Sequence, residues 1–299
     1  MILPIKFYNI LHKEVIVINK YILIGNPVKH SISPFIHNTF FKDIKEDSKY
    51  DSFLLENLDK NVVDNFLKEE IKGINVTLPY KLDIIKYLYK IDDSAKMIGS
   101  VNTLKYTPSG YIGYNTDING MEDTFIENNI NIKDKTILVI GAGGSGYTAG
   151  FMVLKNKAKK VIIANRTEEN SKKLKEHILK YYQNAHIDIV SLKDANNIEN
   201  IDIIINTTTL GFGENIDKCP IEDILFKNNK IDFVFDIIYT PFKTKLLKMA
   251  EDNKIKNTNG FAMLIYQALK AEEIWQNKNI DLSYKIYFKN RILSYYKNI

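Results

Sequence analysis

Short β-like runs alternate with longer amphipathic stretches, and this pattern predicts an α/β protein of two domains. Three observations carry the prediction. The strand runs of the second half are almost uniformly apolar, as expected of parallel strands covered on both faces. A glycine-rich turn stands directly after one of them, where a doubly wound sheet places such a turn. And 299 residues are long for one core and comfortable for two.

In the first part, strands are expected over residues 21–25, 50–54 and 71–76. Amphipathic spacing predicts helices over 34–42 and 58–69, and helical apolar spacing predicts another over 81–89, after Pro79. Two shorter strands, 103–106 and 111–114, flank Pro108, Ser109 and Gly110, a turn signal that predicts a hairpin. The second part begins near Gly120, with strands expected over 136–140, 161–164, 186–190, 201–205 and 231–235. Residues 260–278 read as one long helix. The crossings near 120 and 260 divide the chain into residues 1–120 with 260–299, and residues 121–259, with a hinge and a cleft between them. The first twenty residues and the tail beyond Trp275 give no functional reading.

Composition removes several classes of function. Lys and Arg total 41 against 36 Asp and Glu, so the net charge of +5 is small, and it is dispersed. That is a solvated surface, with no nucleic-acid partner expected. Cys219 is the single cysteine, so no disulfide forms within the chain, which suits a reducing cytoplasm. It sits in a polar stretch with no histidine close in sequence, which argues against a catalytic thiol. No run is long enough to span a membrane, and the first twenty residues lack a signal-peptide core. Five scattered histidines and one cysteine offer no metal-ligand spacing, so no metal is expected. A monomer or homodimer is expected.

Residues 136–140 lead straight into GAGGSG, that is Gly141, Ala142, Gly143, Gly144, Ser145 and Gly146. Gly141, Gly143 and Gly146 fit the spacing G-x-G-x-x-G. Such glycines permit a tight turn, close approach of a pyrophosphate and close packing of helix on strand, and the helix start offers N–H groups to the phosphates. The context of strand before and helix after makes this a dinucleotide site. The next strand ends in Asn165, Arg166 and Thr167. An acidic residue here would bind a free ribose 2′-hydroxyl, whereas a guanidinium and a hydroxyl suit a 2′-phosphate. The cofactor expected is therefore NADP(H), although Glu168 and Glu169 follow directly. Asn206 and Thr207 end another strand, where open α/β sheets bind ligands, and are further candidates for the cofactor.

The first part carries more specific signals: GNPVKHSISPFIHN at 25–38, NVTLPYK at 75–81, GSVNTL at 99–104 and GYNTDING at 113–120. After the glycine turn come NRT at 165–167, NTTTLG at 206–211, DIIYTPFKT at 236–244 and NGFAMLIYQAL at 259–269. Together and in this order they resemble the shikimate dehydrogenase family, over residues 21 to about 275. The resemblance implies an N-terminal α/β substrate-binding domain, a Rossmann-type NADP-binding domain and a cleft between them. It implies reversible NADPH-dependent reduction of 3-dehydroshikimate to shikimate, in chorismate and aromatic amino-acid biosynthesis. By the same resemblance Lys81 and Asp117 are the catalytic pair. The lysine donates a proton to the ketone oxygen, and the carboxylate holds the lysine and substrate hydroxyls. Ser31 and Ser33 alternate, so an extended loop presents both hydroxyls to one side, and the resemblance implies that they hold the substrate carboxylate. The residues alone fit a helix N-cap before Pro34 equally well. Asn75, Thr77, Asn102 and Gln267 are expected to bind the substrate, amides suiting a polyol as both donor and acceptor. Tyr239 is expected near the substrate carboxylate or the nicotinamide, or else as a core aromatic at a strand end. Ile237 and Gly260 are expected beside the cofactor. His30 and His37 read as loop-packing and helix hydrogen-bonding residues.

Some positions depart from the family's commonest pattern. Ser100 and Ser145 stand where Ala is usual, Phe212 where Met is common, and Thr208 with Thr209 replaces a Thr-Pro or Thr-Ser pair. Glu272 replaces an aromatic of the last helix before Trp275. Two other functions are compatible with these motifs. One is a quinate-accepting sister activity, which retained Ser33 and Arg166 disfavour. The other is a non-catalytic sensor of the same ligands, which retained Lys81 and Asp117 disfavour.

Overall fold

The structure is a computed structural model that describes residues 18–29 and 31–296. His30 lies outside the described residues. Two six-stranded sheets organise the described residues. The first begins with β1 (Asn19–Gly25), α1 (Ser33–Asp43), β2 (Ser48–Leu54), α2 (Lys60–Lys68) and β3 (Gly73–Val76). It continues with β4 (Lys90–Ile91), α3 (Asp93–Ile98), β5 (Thr103–Lys105) and β6 (Ile112–Tyr114). The strand order is β2-β1-β3-β5-β6-β4. β1 is parallel to both of its neighbours, and β5 runs antiparallel to β3 and to β6. The turn between β5 and β6 closes on reciprocal backbone bonds between Thr107 and Gly110, so the hairpin forms as expected.

The helix expected over 81–89 does not form. A single 3₁₀ turn, Asp83–Tyr87, takes its place. The chain turns extended at Leu88, and Tyr89 donates its N–H to Tyr111 O at 3.0 Å. Sheet pairing from residue 89 onward leaves too few residues to propagate a helix past its costly nucleus.

α4 (Asp117–Glu127) leads out of the first sheet. Then come β7 (Thr136–Ile140), α5 (Gly144–Lys155), β8 (Lys160–Asn165), α6 (Glu168–Leu179), β9 (Ile187–Ser191) and β10 (Ile203–Asn206). After these follow α7 (Ile224–Asn228), β11 (Phe233–Asp236), α8 (Lys245–Asp252) and β12 (Lys256–Asn259). Every pairing in this second sheet is parallel, in the order β12-β11-β10-β7-β8-β9. Counted from β7, that is the 3-2-1-4-5-6 order of dinucleotide-binding sheets. Last come α9 (Phe261–Gln276) and α10 (Leu282–Tyr296).

Strand alternation explains the four cores. Ile137 and Val139 of β7 face one core while Leu138 and Ile140 face another, on opposite sides of the second sheet. Tyr21 and Leu23 of β1 likewise face a core completed by α9 and α10, and Ile24 faces one completed by α2. α9 therefore belongs to the first sheet, although it follows the second in sequence. Among the described residues no helix is long and apolar enough to cross a membrane.

Candidate active site

Lys81 and Asp117 meet. Lys81 stands just beyond β3, and Asp117 is the first residue of α4. Lys81 Nζ lies 2.5 Å from Asp117 Oδ2, with the side chains only 13% and 6% exposed. The first turn of a helix favours a carboxylate, because its N–H groups carry partial positive charge. Asn115 ties this turn down: its Oδ1 accepts from Ile118 N at 3.1 Å and its Nδ2 donates to Ser100 O at 2.8 Å.

Asn102 fills the space behind the pair. Its Nδ2 donates to Asp117 Oδ1 (2.8 Å) and Thr116 Oγ1 (2.9 Å), and lies 3.2 Å from Gln267 Oε1. Its Oδ1 accepts from Thr116 N at 2.7 Å. Gln267 reaches this point because α9 packs tightly on α4. A Cβ at Gly120 would stand 2.7 Å from Met263 O, so the helices approach only with glycine there. Thr116 was not singled out in the sequence, where it is one residue of an NTD motif. Its side chain bonds to Asn102, 14 residues away and just before β5.

Thr77 follows β3, its N–H donating to Ile24 O at 2.9 Å. Ser31 and Ser33 follow the same end of β1 as Thr77 follows of β3, since these strands are parallel and in register. The two serine hydroxyls are 3.1 Å apart, and Ser31 Oγ accepts from Ser33 N at 3.2 Å. Ser33 is not the N-cap: Ile32 occupies that position, and among the described residues no side chain caps α1. Asn75, expected at the substrate, commits its side chain to the protein. Its Oδ1 accepts from the Tyr50 hydroxyl at 2.7 Å, and its Nδ2 donates to Asn102 O and Thr103 Oγ1.

The tips of β7, β8, β10, β11 and β12 share one edge of the second sheet, because all these strands are parallel. Gly141 turns the chain there with φ +107°, a backbone that L side chains rarely adopt. Thr207 Oγ1 and N both donate to Ile140 O at 2.8 Å, which packs β10's tip against this turn. Ile237 N donates to Asn206 O at 3.0 Å, and Gly260 N to Ile238 O at 3.1 Å, so Asn206, Ile237 and Gly260 are brought together. Among the described residues a Cβ at Gly143 would meet nothing within 4 Å, and no side chain caps α5. An open shelf at an uncapped helix start is a cradle for phosphate. Ala142, Gly144, Ser145 and Gly146 complete this turn into α5. Arg166 and Thr167 are exposed beyond β8, and Asn165 Nδ2 donates to Thr167 O at 2.9 Å. These residues fit a dinucleotide with a 2′-phosphate.

The two edges meet at Lys81. A Cβ on Gly144 would stand 3.2 Å from Lys81 Cβ and 3.1 Å from Ser100 Oγ, so the start of α5 lies against the stem of the lysine. Tyr239, on the segment after β11, packs against the first sheet's core, and burial pushes its hydroxyl up to about 12. Asp236 went unnoticed in the sequence. It is fully buried and accepts from Thr244 Oγ1 (2.7 Å), Asn206 Nδ2 (3.0 Å) and Ile238 N (3.1 Å). Burial pushes its carboxyl up to about 6. Cys219 is half-buried with its thiol pushed up by burial, far from a nucleophile's requirements. Among the described residues no group of His, Cys, Asp and Glu could hold a metal ion.

A parallel sheet in dinucleotide order, set against a second sheet across a buried Lys–Asp pair, defines a two-lobed α/β protein of the dinucleotide-binding class. Residues 23–104 match the family model of the shikimate dehydrogenase substrate binding domain, and residues 124–241 that of shikimate / quinate 5-dehydrogenase. The chain is similar to the shikimate dehydrogenase (NADP(+)) of Methanococcus vannielii, 40% identical over 281 residues, which cover 92% of this chain and 96% of the relative. Among solved structures it is similar to shikimate dehydrogenase 1 of Peptoclostridium difficile, with 31% identity and a TM-score of 0.83, covering 92% of this chain and 98% of that one. It is also similar to a shikimate dehydrogenase in complex with NADP+, with 36% identity and a TM-score of 0.81, covering 93% and 95%. The chain belongs to the shikimate dehydrogenase family.

Proposed function

We propose that the chain catalyses the reversible NADPH-dependent reduction of 3-dehydroshikimate to shikimate, in the chorismate route to the aromatic amino acids. One observation carries this reading: Lys81 Nζ stands 2.5 Å from Asp117 Oδ2 where the start of α5 touches the lysine's stem. In this reading residues 1–120 and 260–299 bind the substrate and residues 121–259 bind the cofactor.

The bound nicotinamide supplies the hydride for the ring ketone. Lys81 holds a proton at Nζ and delivers it to the ketone oxygen. Asp117 keeps that ammonium aimed, and accepts from a substrate hydroxyl. Ser31 and Ser33 hold the ring carboxylate, with Tyr239 at its side. Thr77, Asn102 and Gln267 bind ring hydroxyls, and Asn75 braces Asn102 from behind. Gly141 to Gly146 cradle the pyrophosphate, and Asn165, Arg166 and Thr167 take the 2′-phosphate. Asn206, Thr207, Ile237 and Gly260 line the nicotinamide half. One chain supplies every residue named, so a monomer and a homodimer serve equally. A cytoplasmic setting agrees with a lone, half-buried cysteine.

The test is purified protein with shikimate and NADP, following cofactor reduction, beside quinate and NAD controls. Turnover is expected with shikimate and NADP. Ligand binding without turnover would favour a sensor instead, and equal efficiency with NAD would overturn the role of Arg166.

A further inference from the structure

One buried ionisable pair has no part in the chemistry above. His37 Nδ1 and Glu272 Oε1 stand 2.5 Å apart, each side chain only 1% exposed. The cost of desolvating such a pair often exceeds its Coulombic gain, so stability alone is a weak reason for it. Its placement points elsewhere. His37 lies on α1 one turn beyond Ser33, on the same face. Glu272 lies on α9, five residues beyond Gln267. The pair therefore clips together the helix that begins at the serines and the helix that carries the glutamine. The same histidine stacks on Tyr50, with ring centroids 4.1 Å apart and planes 5° apart. The Tyr50 hydroxyl donates to Asn75, and Asn75 donates to Asn102 O at 3.2 Å. Directed contacts thus run from the clip to the residue that holds Asp117.

We propose that Glu272, acting through His37, is a positioning residue that sets the spacing of α1 and α9, and with it the fit of the acid substrate. This rests on the function proposed above, because Ser31, Ser33 and Gln267 bind the substrate only in that reading. Glu272 itself touches neither substrate nor cofactor.

Two substitutions separate positioning from packing. Glu272→Gln keeps an oxygen to accept the Nδ1–H of His37. Glu272→Met keeps the volume and removes that acceptor, leaving the Nδ1–H of His37 buried without its partner, so some stability is lost as well. For Glu272→Met, KM for 3-dehydroshikimate should rise about tenfold while kcat and KM for NADPH stay within about threefold of wild type. Glu272→Gln should restore KM to within about threefold. Melting curves and NADPH affinity confirm that each variant is folded. Replacing both members together, His37→Leu with Glu272→Met, leaves neither group unpaired and gives a second route should Glu272→Met fail to fold; KM for 3-dehydroshikimate should again rise about tenfold, and an unchanged KM would overturn the clip. An active wild type with an unchanged KM in folded Glu272→Met would overturn the clip alone, as would a rise in both KM values together. A wild type inactive on 3-dehydroshikimate would overturn the function proposed above.

Discussion

Single residues carry the chemistry, and two of them give direct tests. Lys81→Ala removes the ammonium and leaves Asp117 buried with Asn102 as its one side-chain donor among the described residues. General-acid assistance is worth about 10²–10⁴ in rate, so kcat should fall by that range while NADPH affinity is unchanged. Turnover within about tenfold of wild type would remove Lys81 from the proton path. Arg166 is the second. Glu168 beside it is already paired with Lys172 at 2.9 Å, which tempers its repulsion of a 2′-phosphate. Arg166→Ala should raise KM for NADPH about tenfold or more and leave NADH kinetics alone, a difference read by comparing the two cofactors.

At the scale of elements, the glycine turn and α5 act as one unit. A Cβ at Gly146 would stand 2.4 Å from Gly141 O, a backbone atom that cannot swing aside. Gly146→Ala should push α5 off the turn, weaken NADPH binding by at least about tenfold and cost about 1–3 kcal/mol of stability. Calorimetric titration and denaturant melts check both, and unchanged NADPH affinity would show that the turn tolerates the shift. Elements with a strong apolar period were legible in the sequence, β7, β8 and β10 above all. β12 was not, because its residues Lys256, Asn257, Thr258 and Asn259 have no apolar alternation and the strand is ordered by pairing with β11. The segment 81–89 was misread because its apolar spacing suits a helix while the sheet claims its end.

Across the whole molecule, pH acts through the buried Asp236. Its carboxyl titrates at about 6 in the folded protein against 3.8 for the ordinary group, chiefly through burial, with the bonds from Thr244, Ile238 and Asn206 opposing. The folded state therefore binds this proton first. Stability from this group is complete below the ordinary value and is lost as pH rises through about 6. Wild type should gain stability relative to Asp236→Asn as pH falls from about 7 to about 4.5, measured by denaturant melts across that range. A stability gap that does not move with pH would refute the assignment. The same carboxylate links β10 to the segment carrying Tyr239, so this titration sits at the junction of the lobes.

The amino-acid sequence by itself determined the α/β class, the turn at Gly141 to Gly146 and Arg166 as a candidate, and the resemblance of its short motifs to a known family supplied Lys81, Asp117, Asn102 and Gln267. These are local properties: apolar period, turn chemistry, and motifs of a few adjacent residues. Only the tertiary structure decided which candidates meet. It brought Lys81 to Asp117 across 36 residues and Gln267 to Asn102 across 165, and it committed Asn75 to Tyr50. It alone joined His37 to Glu272 across 235 residues and buried Asp236 among donors. The reason is physical: burial and contact between distant segments depend on how the elements pack, and no local pattern encodes the partner a side chain will find.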